Sequence, residues 1–300
     1  MNLSGCSMRG DERPQAAPQP RLVELFYATD RAAAADGEGY FSGIRGDLSY
    51  GIAQISIPPD HIMGEHEEPS LLKLEWSPEE DKHINVRDVL KLNRKAFISR
   101  LSRAVETSPD NKLMVFVHGY NEEFPDTSRR VAQFADDLKF SGPVVLFSWP
   151  SQGGLTGYTV DETNAEWAQA HFVELMSDLL EQVPVHSIYL VGHSMGNRII
   201  GNAMITLSGD RLESDLMLFR EIIMIAPDID ADVFRKDMAP RLARTGIHMT
   251  LYASSKDRAL MASKAFHGYP RAGDSGEALV VVEGTETIDA SDASGGLLGH

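Results

Sequence analysis

The stretch Ile188-Tyr189-Leu190-Val191-Gly192-His193-Ser194-Met195-Gly196 decides how this chain folds. Its first four residues form a short apolar run, the mark of a strand buried on both faces inside a parallel sheet. An apolar-periodic segment follows at once, Met195 to Ile205, and reads as a helix. Between them lies Gly192-His193-Ser194-Met195-Gly196, of the form G-x-S-x-G. Composition alone produces that form about 0.1 times in a chain of this length, so its setting matters more than the motif. In a strand–turn–helix setting the two glycines leave room for a tight turn that a Cβ would obstruct. The turn lifts the serine hydroxyl clear of the sheet, and the helix aims its free N–H groups back at the turn.

The same alternation extends on both sides. Leu113–Val117, Val144–Phe147, Ile188–Val191, Ile222–Ile225, Ile247–Tyr252 and Ala278–Val282 read as strands. Helical spacing falls between them, at Val131, Phe134, Ala135 and Leu138, then at Phe172, Met176, Leu179, Leu180 and Val183, and again near Ala259–Phe266. Strands alternating with helices imply βαβ crossovers and a parallel sheet covered on both faces. Ahead of Lys112 the pattern differs. Leu22–Tyr27, Tyr50–Ile57 and His83–Leu92 read as strands with one face in water, and Asn93–Val105 as a helix. With the Ser194 turn, this predicts the α/β-hydrolase fold: a mostly parallel central sheet, helices on both faces, and antiparallel strands at the N-terminal edge. The domain spans residues 22–300. Residues 1–21, rich in Pro, Gln, Arg and Ala, read as a disordered linker or tether.

Composition bounds the partners. The chain has 300 residues, is 42% hydrophobic and 24% charged, and carries a formal charge of −16. That suits a globular domain and argues against a nucleic-acid partner, which needs a basic footprint. No apolar run approaches the roughly 18 residues of a transmembrane helix. The single cysteine, Cys6, excludes an internal disulfide framework. Leu3-Ser4-Gly5-Cys6 reads like the cleavage box of a bacterial lipoprotein signal, although only Met1 and Asn2 precede it. It suggests a lipid anchor at Cys6 of a longer precursor and a place in the bacterial cell envelope, periplasmic or lipid-tethered. A chance match would leave a cytoplasmic protein.

A serine nucleophile needs a base and an oxyanion site. One strand upstream stands Val115-Phe116-Val117-His118-Gly119-Tyr120. In this fold such a step presents the backbone N–H of the residue after the glycine to the tetrahedral oxygen, with a second donor just after the nucleophile. The expected donors are therefore the Tyr120 and Met195 amides. His118 reads as a residue that shapes this loop, because the fold runs Ser, acid, His along the chain. Two acid candidates follow strands: Asp228, with Asp230 beside it, and Asp257. The fold usually takes its acid from the later strand, which favours Asp257 and leaves Asp228 to cap a helical turn or buttress the elbow. Only His300 follows the last strand, and it is the expected base.

Several segments together resemble a known family: His118-Gly119-Tyr120-Asn121, Ser148-Trp149-Pro150-Ser151, Gly192 to Asn197, Ala226 to Asp230, Tyr252 to Leu260, and Gly295 to His300. Over about residues 22–300 the chain resembles the bacterial alpha/beta hydrolase family of unknown function in the esterase/lipase superfamily. The resemblance implies Ser194, Asp257 and His300 as the triad and is consistent with a lipoprotein. Chains of that family continue past this histidine, so the natural protein is expected to extend beyond His300.

The expected activity is hydrolysis of a small-molecule carboxylic ester through an acyl-enzyme on Ser194. The same parts would serve an amidase, thioesterase or acyltransferase, and a catalytically silent scaffold would act as an envelope binding protein. No cofactor is expected, and the scattered histidines show no metal-ligand spacing. Asn121-Glu122-Glu123 reads either as a pocket lining or as a solvated helix start, and Trp149 as a packing residue.

Overall fold

The computed structural model describes residues 19–35, 40–65, 82–152, 157–256, 260, 263 and 267–292. Nine strands among these form one sheet. They are β1 (Arg21–Ala33), β2 (Phe41–Ile57), β3 (Asn85–Leu92), β4 (Lys112–Val117), β5 (Val144–Ser148), β6 (Ser187–His193), β7 (Phe219–Ile225), β8 (His248–Ala253) and β9 (Glu286–Asp289). Their order is β3-β2-β1-β5-β4-β6-β7-β8-β9. From β1 to β9 every neighbouring pair is parallel, while β2 runs antiparallel to both β1 and β3. This is the α/β-hydrolase architecture that the chain order of strands and helices predicts.

The four main helices are α1 (Arg94–Glu106), α2 (Phe124–Asp137), α3 (Tyr158–Gln182) and α4 (Gly196–Asp210). Asn93 caps α1, its side chain accepting from Ala96 N at 2.9 Å, which supplies one of the helix's unsatisfied first-turn donors with a partner. Period-two alternation along β4 divides the core between the two faces of the sheet. Leu113, Val115 and Val117 point into the layer with α1, α3 and α4, and Met114 and Phe116 point into the layer with α2. Burial on both faces explains why the inner strands read as continuous apolar runs.

Three strands differ from the sequence expectation, β2 by beginning at Phe41, nine residues ahead of Tyr50. β1 continues past Tyr27 through Thr29, Asp30 and Arg31 to Ala33. These three polar residues are buried, with bonds to neighbouring elements: Thr29 Oγ1 donates to Ser148 O at 2.6 Å, and Asp30 Oδ2 meets His171 Nδ1 at 3.1 Å. The final strand is Glu286–Asp289, not Ala278–Val282. Val280 is fully buried in the core, yet its backbone lies outside the sheet, and its carbonyl accepts from Thr287 Oγ1 at 2.8 Å. The helical expectation for 259–266 falls largely outside the described residues. Among them, no helix is long and apolar enough to cross a membrane.

Candidate active site

Ser194 sits between the last residue of β6 and the first of α4, with φ +48° and 3% of its surface exposed. A left-handed non-glycine residue is strained and persists only where its surroundings hold it. Here they do. Ser194 N donates to Ile225 O at 2.9 Å, and Ser194 O accepts from Asn197 N at 3.2 Å and Asp228 N at 3.2 Å. Asn197 Nδ2 adds a bond to the same carbonyl at 3.1 Å and another to Ile225 O at 3.2 Å. A Cβ on Gly192 would run into the Asn197 side chain, and one on Gly196 into the Val117 and His118 carbonyls. Both motif glycines are thus required by close approach.

The first bonds after the turn are Asn197 N to Ser194 O and Arg198 N to Met195 O. The Met195 N–H stands ahead of that ladder, at the positive end of α4. The Gly119–Tyr120 step comes against Ser194 from β4, and a Cβ on Gly119 would lie 2.8 Å from Ser194 Cβ. The turn is completed by Asn121, at φ +59°. Its N–H donates to Ser151 Oγ at 2.8 Å, and Ser151 Oγ donates to buried Asp161 at 2.5 Å.

His118 is 1% exposed, stacked on Trp149 at 5.1 Å between ring centroids and 4° between planes. Its Nδ1 lies 2.8 Å from Gly119 O, and Trp149 Nε1 donates to His118 O at 2.8 Å. Burial, with the Arg31 charge beside it, holds its pKa well below the usual histidine range. A neutral, enclosed imidazole shapes the loop, as the chain order implied. Of Asn121-Glu122-Glu123, the flanking two are exposed, with Glu123 at the start of α2 as a solvated helix start requires, and Glu122 differs. It is buried, paired with Arg130, and burial raises its pKa.

Asp228, after β7, is saturated. Its carboxylate faces Arg271 Nε at 2.9 Å and Arg198 Nη2 at 3.8 Å, and accepts from Ser263 Oγ at 2.6 Å and from Tyr158 Oη. No histidine bonds to it among the described residues. Asp230 does the capping, accepting from Asp232 N at 2.9 Å and Val233 N at 3.0 Å. The Tyr158 ring also rests on Tyr120, 5.2 Å between centroids, so this network reaches the loop beside Ser194. A neighbouring pocket of about 260 Å³ is lined by Glu162, Arg198, Ile229, His267 and Arg271, and does not include Ser194.

The structure therefore brings together Ser194, Met195 and the Gly119–Tyr120 step. Asp257 and His300 lie outside the described residues. The segments that lead to them leave the sheet bonded to each other: Ala290 N donates to Ala253 O at 2.8 Å, Ser255 N to Ser291 Oγ at 2.9 Å, and Lys256 Nζ to Asp292 at 3.0 Å. Sequence reasoning missed Arg31, Asp161 and Arg271, whose burial only the fold reveals, and the bonds of half-buried Tyr158 to Asp228 and Ser263. The one available signal for Arg31 was the unbroken β-rich run before it.

A parallel sheet whose central strand delivers a serine at a left-handed turn into a helix defines the α/β hydrolases. Residues 93–281 match the family described as "Alpha/beta hydrolase of unknown function (DUF900)", and the chain belongs to it. Over 87 residues the chain is 29% identical to a Mycoplasma genitalium protein named "Putative esterase/lipase 2", covering 29% of this chain and 30% of that one. Its Mycoplasma pneumoniae counterpart is 31% identical over 85 residues, covering 28% and 29%. The match thus spans less than a third of these relatives. Among solved structures, a CIB-like hydrolase of Thermoplasma acidophilum aligns with 94% of this chain and 89% of its own, at 13% identity and a TM-score of 0.39.

Proposed function

We propose that this protein is a serine hydrolase that cleaves carboxylic esters through an acyl-enzyme on Ser194. The observation that carries the reading is the turn itself: Ser194 at φ +48°, pressed on Gly119 and directly preceding the N-terminus of α4. In the proposed mechanism His300 takes the Ser194 proton as Oγ attacks the ester carbonyl. The Tyr120 and Met195 amides hold the oxyanion, His300 returns the proton to the leaving alcohol, and water then repeats the sequence to free the acid. Asp257 orients His300.

Sheet geometry supports this division of roles. Ser194 follows β6 and Asp257 follows β8, two strands apart in a parallel sheet. Asp228, one strand away, already carries two arginines, a tyrosine and a serine, which supports a buttressing role.

The test is steady-state hydrolysis of p-nitrophenyl esters with short and long acyl chains, by wild type and by Ser194→Ala, Asp257→Asn and His300→Ala. Ser194→Ala and His300→Ala should each lose at least about 10⁴-fold in kcat, with folding intact. A well-folded wild type without turnover, or full activity in Ser194→Ala, would reject the reading.

A further inference from the structure

Arg31 is 2% exposed, on β1; the carboxylates of Asp30, Asp161, Glu122 and Glu123 offset its charge through space, while its hydrogen bonds go elsewhere. Its guanidinium has five N–H donors, and five acceptors surround it. Nε reaches Ser148 Oγ at 2.9 Å, Nη1 reaches the Ser42 and Ser151 carbonyls at 3.4 Å each, and Nη2 reaches Glu122 O at 2.6 Å and His118 Nε2 at 3.3 Å. Burial still lowers its pKa despite these carboxylates, and every one of its hydrogen bonds is spent on a neutral acceptor that it thereby holds in place.

His118 is one of these acceptors. A neutral imidazole carries one ring proton. Nδ1 lies 2.8 Å from Gly119 O, which can only accept, so that contact needs the proton on Nδ1. Nε2 then presents a lone pair to Arg31 Nη2 and, at 3.5 Å, to Ser148 Oγ, both able to donate. A competing tautomer exists: Trp149 O stands 3.1 Å from Nε2 and would accept a proton held there. The Arg31 donor tips the choice. Gly119 C=O and Tyr120 N–H belong to one planar trans peptide, so pinning the carbonyl pins the N–H on its opposite side.

We propose that Arg31 is a positioning residue for the oxyanion site: it selects the Nδ1–H tautomer of His118, which clamps Gly119 O and fixes the direction of the Tyr120 N–H. The catalytic half rests on the reading of Ser194 as the nucleophile and of Tyr120 as a donor. Without Arg31 the proton moves to Nε2 and Trp149 O, and the Gly119–Tyr120 peptide is released.

The experiment uses the full chain labelled with ¹⁵N, reading the His118 ring nitrogens by long-range proton–nitrogen correlation beside ester kinetics. Wild type should show Nδ1–H. Arg31→Met should move the proton to Nε2 and lower kcat about 100-fold with KM changed by no more than about threefold. Arg31→Lys, which restores charge and a donor, should recover part of both. In a His118→Asn background, whose side-chain amide can donate to Gly119 O and has no tautomer, Arg31→Met should cost far less. An Nε2–H wild type, an unchanged tautomer on removal of Arg31, or equal losses in both backgrounds would overturn the proposal. The wild-type spectrum decides even if Arg31→Met does not fold. A wild type that hydrolyses no ester fails the nucleophile reading itself, whatever the tautomer, and removes the catalytic role of Arg31 with it.

Discussion

Gly119 and Ser194 touch so closely that a methyl group on Gly119 would lie 2.8 Å from the Ser194 Cβ and 2.9 Å from His193 Nδ1. Ser194 cannot retreat, since its backbone is fixed by bonds to β7 and α4. Gly119→Ala should therefore push the loop away from the serine. The expected result is a loss of about 100-fold in kcat and about 1–3 kcal/mol of stability, seen in ester kinetics and thermal melting. Unchanged kinetics would mean the loop plays no part in catalysis.

The strain at Ser194 gives a second, opposite effect. Glycine adopts φ +48° without a Cβ clash, so Ser194→Gly should raise stability by about 1 kcal/mol, or about 2–4 °C in Tm, while abolishing turnover. A lower Tm would show that the turn stores no strain.

Asp228→Asn separates buttress from triad acid. The substitution leaves Arg198 and Arg271 facing a neutral amide in a buried site, which should cost about 3–5 kcal/mol. Denaturant unfolding measures it. A variant of wild-type stability that had lost nearly all activity would instead make Asp228 the acid.

The Asp30–His171 pair predicts a pH dependence of stability. Its hydrogen bond to Asp30 raises the His171 pKa above 6.5, and burial raises that of Asp30. Both groups hold protons more tightly when folded. The His171 contribution is therefore complete below about pH 6.5 and is lost as pH rises through the folded value. Melting temperature measured from pH 6 to 9 should fall more steeply in wild type than in His171→Gln, and parallel curves would exclude the linkage.

Much of this fold was legible because inner parallel strands are apolar on both faces, as β4 and β6 are, and because the G-x-S-x-G turn fixes where strand gives way to helix. What escaped notice has a common cause. The apolar run around Val280 is buried without joining the sheet, whereas Glu-Thr-Ile-Asp at 286–289 pairs at the edge despite its polarity. Hydrophobic patterning reports burial, not backbone pairing. Thr29, Asp30 and Arg31 lie beyond the expected end of β1 at Tyr27: polar residues break an apolar run, yet here they continue the strand because Ser148 and His171, more than a hundred residues away, bond to them. Ser194, Met195 and the Gly119–Tyr120 step were legible because they are local motifs. The Arg31–His118 clamp was not, because it exists only after β1, β4 and β5 meet.

As the proposed nucleophile, Ser194 should be activated above every other serine of the chain. The most direct test is treatment of the full chain with a fluorophosphonate, followed by intact-mass and peptide mapping, with Ser194→Ala alongside. One adduct is expected, on the peptide containing Ser194, and none in Ser194→Ala. A folded wild type that takes up no label, or an adduct on another residue that persists in Ser194→Ala, would contradict it.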